Sequence, residues 1–166
     1  MLTYDSFNTN IGLLTVVKSE RGVCFIGLPS ATMSRVQIWA NRRFPGEALH
    51  PASAPFGRER QELQEYTSGG RTIFTFSLDH RNTPFSLQVL EEVCRVPYGE
   101  TASYADIARR VARPHAARAV GRAVAANPLP LVIPCHRIVG SNGSLTGFGG
   151  GLNLKQELLL LESHGA

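Results

Sequence analysis

A chain of 166 residues, 43% of them hydrophobic and 18% charged, has enough apolar material for one domain or two small ones, which excludes disorder on a large scale. Lys and Arg number 17 against 13 Asp and Glu, a net charge of +4 with a pI near 9.3, and alone this is only mild support for a nucleic-acid partner. The start "MLTYDSFNTN" lacks a basic segment followed by an apolar run, and "LVI" and "LLLL" fall far short of a membrane span, so the expectation is a cytoplasmic protein with no membrane association.

The first half reads as a small α/β unit. "LTYDSF", "IGLLTVVKS" and "VCFIGLP" are short and rich in β-formers, with "SERG" as the hairpin connection between the last two. "SATMSRVQIWANRRF" places Met33, Val36, Ile38, Trp39 and Ala40 in a helical pattern after a Ser30 cap. "FGRERQELQEYTSGG" reads as a second helix closed by paired glycines, and "RTIFTFSLD" alternates like a strand. "LDHRNTPF" is a linker, which divides the chain into an N-terminal α/β domain over 1–80 and a second domain over 84–166.

The second half reads mostly helical. "SLQVLEEVCRV" puts Leu87, Leu90, Val93 and Cys94 on one face, so Cys94 is expected in the core. "PYGE" breaks that helix, and "SYADIARRV" opens with Ser103 and Asp106 in a capping box. "ARPHAARAVGRAVAANP" continues as a helix with Pro114 near its first turn, ending at Asn127. Two helices joined by a short turn outline a helix-turn-helix. Arg109, Arg110, Arg113, Arg118 and Arg122 lie here with no acid among them. Such a run is ordinarily a solvated face. On a helix otherwise built of Ala, Val and Gly, however, a backbone can approach a partner closely while arginines reach phosphates or bases.

Chemistry concentrates in "NPLPLVIPCHRIVGSNG". The cysteines Cys24, Cys94 and Cys135 cannot all pair and none stands in a CxxC arrangement, so they read as reduced thiols. No Cys/His cluster has zinc-finger spacing and no cofactor-binding loop is visible, so neither a metal nor a cofactor is expected. Pro128, Pro130 and Pro134 bias Asn127, Leu129 and Ile133 away from helix, which delivers Cys135 on a stiff, extended arm. A nucleophilic cysteine needs its thiolate, and His136 is the nearby base. On an extended backbone adjacent side chains diverge, so the proton should pass through a bridging water. His136 then needs an orienting carboxylate. Of the acids that follow it, Glu157 and Glu162, the second ends an apolar stretch and is the better candidate.

The full string carries more than the Cys-His pair. "IPCHRIV" resembles the active-site signature of the O6-alkylguanine-DNA alkyltransferases, also called methylated-DNA–protein-cysteine methyltransferases. "TPFSLQV", "PYGETASYADIA", "AARAVGRA", "NPLPLVIPCHRIVGSNGSLTGFGGGL" and a Lys before a leucine-rich helix with Glu162 extend the resemblance over most of residues 84–163. It implies an α+β fold, with a small ribonuclease-H-like N-terminal α/β domain and a mainly helical C-terminal domain containing the helix-turn-helix. It also implies repair of O6-alkylguanine, and less directly O4-alkylthymine, by a single irreversible transfer to Cys135.

On that resemblance Cys135 is the nucleophile, His136 the group that withdraws its proton through water, and Glu162 the carboxylate that orients His136. Asn127 ties the active-site backbone together. Tyr104 lies near the guanine and donates a proton as the base leaves. The carbonyls of Cys135 and Ile138 accept from the exocyclic amine, and Gly149 offers its amide to O6. Arg118 enters the stack vacated by the flipped base, with the second helix in the minor groove of double-stranded DNA and the protein acting as a monomer. Ser86, Arg113 and Ser141 match further DNA-contacting positions. Phe148 and Gly149 depart from relatives that carry Tyr and Ser there, which removes a hydroxyl from the pocket wall. The zinc of some relatives has no recognisable Cys/His set here. A regulator with the same helix pair would read a particular sequence, a DNA binder without repair would lack Cys135, and a cysteine hydrolase would need an oxyanion hole that is not apparent.

Overall fold

Near the start of the chain, alternation of β-formers produces a meander. In the computed structural model, which describes residues 1–164, strands β1 (Leu2–Thr9), β2 (Gly12–Ser19) and β3 (Gly22–Gly27) pair antiparallel through two tight hairpins. A short strand β4 (Leu49–Pro51) adds parallel to β1, giving the order β3-β2-β1-β4. Between β3 and β4 runs helix α1 (Met33–Arg43), and after β4 comes α2 (Gly57–Thr67). Val36 and Ala40 of α1 bury against Leu2, Val17, Cys24 and Phe44, while Met33 and Ile38 stay exposed. The cap of α1 is Thr32, not Ser30. The Ala31 amide closes a turn onto the Leu28 carbonyl at 2.8 Å, so the helix starts two residues later, with Thr32 Oγ1 accepting from the Arg35 amide.

The expected strand in "RTIFTFSLD" does not form. Its alternation is used differently: Phe74 and Phe76 stack in series with Tyr66 of α2, while the Glu62 carboxylate takes both the amide and the hydroxyl of Thr75. Side-chain bonds to α2 thus replace a ladder, and the segment meets the sheet through one parallel bridge, Val23↔Leu78, and through Asp79, which accepts from the Ser19 hydroxyl at 2.6 Å. This first unit spans Met1–Arg81, and a second begins at Asn82.

The second unit opens with α3 (Pro84–Cys94), whose Thr83 side chain accepts from the Ser86 amide at 3.2 Å, with Pro84 in the first turn. Its buried face is Val89, Leu90 and Val93. Cys94 is exposed, contrary to the sequence expectation, as is Leu87, because the stripe that meets the core is rotated by one position. A short strand β5 (Ala102–Ser103) runs into α4 (Tyr104–Arg110), and the Ser103–Asp106 capping box is present in both directions. Helix α5 (Ala117–Ala125) starts after Pro114 instead of around it, since Arg113–Ala116 closes a separate turn. Ala112, at φ 60°, makes the corner between the two helices. On α5, Val120, Ala123 and Val124 are buried and Arg118 and Arg122 face solvent. Strand β6 (Ile138–Val139) pairs parallel with β5, and helix α6 (Leu152–His164) ends the described chain. No helix among the described residues is long and apolar enough to cross a membrane.

Candidate active site

Three prolines remove donors from the segment before Cys135, and the backbone compensates with a compact fold instead of the extended arm expected from the sequence. Ile133 donates back to the Leu129 carbonyl at 2.8 Å, and Leu131 adopts a left-handed φ of 74° so the chain can reverse. Asn127 closes this loop from the side: its Oδ1 accepts from the Leu129 amide and its Nδ2 donates to the Ile133 carbonyl, both at 2.9 Å. Proline restricts the residue before it, but tertiary closure decides what the residues between prolines do.

Cys135–Arg137 then forms a single 3-10 turn, with the Arg137 amide on the Pro134 carbonyl at 2.9 Å. This turn leads directly into β6, which pairs with β5 at the start of α4, so Cys135 and Tyr104 are carried on joined elements. Cys135, His136, Arg137 and Glu162 are all buried. His136 Nε2 lies 2.8 Å from Glu162 Oε2, while Arg137 grips the same carboxylate through Nε at 2.7 Å and Nη2 at 2.9 Å. Arg137 also donates to the Val96 carbonyl at 2.8 Å and lies over the Tyr98 ring. A carboxylate held by a guanidinium can only accept, so His136 carries its proton on Nε2 and presents Nδ1 as a base.

Burial pushes the Cys135 thiol up to about 11, opposed first by a hydrogen bond from Asn127 and then by the positive charge of Lys155. Burial also holds His136 below the ordinary imidazole range, although Glu162 pulls the other way. The resting pair is therefore thiol and neutral imidazole.

The other residues singled out from the sequence fall around this centre to different degrees. The Tyr104 hydroxyl reaches towards the Thr146 carbonyl at 3.5 Å, in the loop that follows β6. The Ile138 carbonyl accepts from Lys155. Gly149 sits exposed in the same loop with open space where a Cβ would project, and Ser141 is exposed at its beginning. Arg118 stands on the exposed face of α5 in its first turn, apart from the buried cluster. Arg113 lies over the Phe85 ring, next to Ser86 in the first turn of α3. Sequence reasoning assigned no role to Arg137 or Lys155. The signal for Lys155 was a single cation on the inward stripe Lys155, Leu158, Glu162 of an otherwise leucine-rich helix.

Comparison with known proteins places the whole chain. The model of the "6-O-methylguanine DNA methyltransferase, ribonuclease-like domain" matches residues 2–80, and that of the "6-O-methylguanine DNA methyltransferase, DNA binding domain" matches residues 84–164. The chain belongs to the 6-O-methylguanine DNA methyltransferase family. Among its relatives, the inducible methylated-DNA–protein-cysteine methyltransferase of Bacillus subtilis is 40% identical over 147 residues, covering 89% of this chain and 82% of the relative. The constitutive protein of the same organism is 44% identical over 161 residues, 96% of this chain and 94% of its own length. The Mycobacterium tuberculosis OGT crystallised in complex with DNA superimposes with a TM-score of 0.84 at 34% identity, covering 97% of this chain and 92% of that one. The methyltransferase family thus accounts for both units, including the N-terminal one, in which the sequence offered only strand pattern and length.

Proposed function

We propose that this chain is a single-use DNA repair methyltransferase, with Cys135 as the permanent acceptor of an alkyl group from O6-alkylguanine, and less readily from O4-alkylthymine. The observation that carries the reading is the buried relay in which Glu162 fixes the His136 tautomer beside a thiol that burial keeps protonated. The alkylated base must leave the duplex, because O6 cannot meet an in-line nucleophile while stacked. The exposed, small-residue face of α5 enters the minor groove, and Arg118 fills the space left in the stack. Arg113, Ser86 and Ser141 contact the phosphate backbone, and one copy of the protein serves one lesion.

In the transfer, the Cys135 proton passes through a water to His136 Nδ1. The thiolate sulfur forms a bond to the alkyl carbon as the carbon–O6 bond breaks, and the base departs with that electron pair. Tyr104 donates a proton to the leaving guanine and recovers one from solvent, to which His136 releases the proton it took from the thiol. The Ile138 and Cys135 carbonyls and the Gly149 amide orient the base. A thioether is not reopened by water or ordinary thiols, so repair is proportional to protein added.

Intact-mass analysis after incubation with duplex DNA containing O6-methylguanine tests this. One methyl per chain, mapped to Cys135 and not to buried Cys24 or exposed Cys94, is the expected result. Multiple turnover, or methyl mainly on another cysteine, would overturn it.

A further inference from the structure

Asn142 and Gly143 stand exposed in the loop between β6 and α6, directly after Ser141. A glycine after an asparagine leaves its own backbone nitrogen unshielded, because it has no Cβ. That nitrogen can then attack the side-chain amide before it. At Gly143 nothing lies within 4 Å of where a Cβ would project, so the approach is open from solvent as well. The other six asparagines lack this arrangement. Asn41 and Asn153 lie in α1 and α6, where the fixed helical ψ is wrong for a cyclic imide. Asn127 precedes Pro128, whose nitrogen has no proton to lose. Asn8, Asn10 and Asn82 precede Thr9, Ile11 and Thr83, whose branched Cβ atoms crowd the nitrogen.

We propose that Asn142 is a site of spontaneous deamidation, which places a negative charge on this loop and weakens the hold of the protein on DNA. Hydroxide takes the Gly143 amide proton, the nitrogen bonds to Asn142 Cγ, and the Cγ–Nδ2 bond breaks with loss of ammonia. Water then opens the cyclic imide at either carbonyl and leaves aspartate or isoaspartate. The step needs only water and base.

The local geometry favours the electrophile. Asn142 Oδ1 accepts from the Ser144 amide at 3.0 Å, which folds the side chain back over its own turn and polarises its carbonyl. The same N–H would hold the oxyanion that forms when Cγ is attacked. Gly140 leaves room for this fold, since a Cβ there would lie 3.3 Å from Asn142 Oδ1 and 2.6 Å from Ser144 Oγ. One contact opposes the reaction: the Gly143 amide donates to the Gly140 carbonyl at 2.8 Å, and this exposed bond must open before the nitrogen can lose its proton. The folded chain should therefore react more slowly than the unfolded chain, at the same asparagine. The consequence for DNA rests on the reading of Ser141 as a backbone contact, because the new carboxylate would then face phosphates. Isoaspartate also routes the main chain through the former side chain, which lengthens the loop between Ser141 and Thr146.

The test holds the folded protein at mildly alkaline pH and follows its tryptic peptides by mass spectrometry, beside a sample unfolded in urea. A gain of one mass unit should appear at Asn142 before any other asparagine, with the product split between aspartate and isoaspartate forms. Fragment spectra separate Asn142 from Asn153, which shares its tryptic peptide. Asn142→Gln should stay unmodified over the same period, since glutamine would have to close a larger ring. Asn142→Asp supplies the product directly. At low salt it should bind unmodified duplex about fivefold more weakly, with the gap closing as salt rises, while transfer from a free O6-alkylguanine base stays within about twofold of wild type. No mass gain at Asn142 in the folded protein, over a period in which the unfolded chain converts, would overturn the site. Wild-type duplex affinity in Asn142→Asp would overturn the consequence for DNA. Failure of the wild type to gain an alkyl group would instead sink the repair reading and leave the mass shift at Asn142 unaffected.

Discussion

Replacing Glu162 by Gln changes one oxygen into an amide group, and the geometry converts that into two separate losses. Glu162 receives His136 Nε2 at 2.8 Å, Arg137 Nε at 2.7 Å and Arg137 Nη2 at 2.9 Å, and all three residues are buried. A carboxamide has a single acceptor oxygen. If that oxygen keeps the Oε1 position, the amide N–H donors face both Arg137 Nη2 and His136 Nε2, so His136 must then accept and the imidazole proton moves to Nδ1. The nitrogen that should take the thiol proton is thereby blocked. If the amide turns round instead, a buried guanidinium meets an N–H donor. In either orientation Arg137 loses its counter-ion, a change that costs about 3–5 kcal/mol when one partner of a buried pair is removed. Taking about 4 kcal/mol over a urea slope of about 2 kcal/mol per M, the unfolding midpoint should fall by about 2 M. Transfer should slow on the order of a hundredfold, the scale of a lost general base. The assay is single-turnover transfer at a temperature where circular dichroism shows the variant folded, beside urea unfolding of the same preparation. A folded variant within twofold of the wild-type rate would refute the tautomer argument, and an unshifted midpoint would refute the ion-pair argument.

Arg118→Ala should weaken transfer from duplex DNA far more than transfer from a free O6-alkylguanine base, since Arg118 is exposed on α5 and would fill a gap that only the duplex has; equal losses on both substrates would place its role elsewhere. Asn127→Ala removes both side-chain bonds that close the loop before Cys135. A loss of about 1–3 kcal/mol in thermal or urea unfolding is expected. Asn127 also lowers the thiol, so its removal should move Cys135 further above about 11 and slow iodoacetamide modification at any pH below that; an unchanged profile would exclude this contribution. Gly22→Ala should destabilise the N-terminal unit, because at φ 148° its Cβ would lie 2.5 Å from the Ser77 carbonyl oxygen. A wild-type melting temperature for that variant would show the bridge between Val23 and Leu78 to be dispensable.

Local pattern determined a great deal about this protein. The three-stranded meander, both helices of the first unit, the Ser103–Asp106 capping box and the paired helices α4 and α5 follow from alternation, helical periodicity and caps, all of which act over a few residues. The ordered run of motifs from "TPFSLQV" to "CHRIV" was enough to identify the family, and the downstream acids narrowed to Glu162 by its place on an apolar helix. Tertiary structure decided the rest. "RTIFTFSLD" had the alternation of a strand, but Glu62, from α2, captured its polar groups first. Cys94 lay on a plausible apolar face until the packing of α3 rotated the buried stripe to Val89, Leu90 and Val93. Proline preferences suggested an extended arm, whereas Asn127 and a left-handed Leu131 fold it back into a closed loop. Arg137 and Lys155 carry no local signature of their environment, because what a buried cation does depends on which groups the fold brings to its head. For Arg137 that is a carboxylate 25 residues away in sequence. For Lys155 it is the carbonyls of Ile138 and Thr146, which it reaches only when α6 closes over the turn that holds the cysteine.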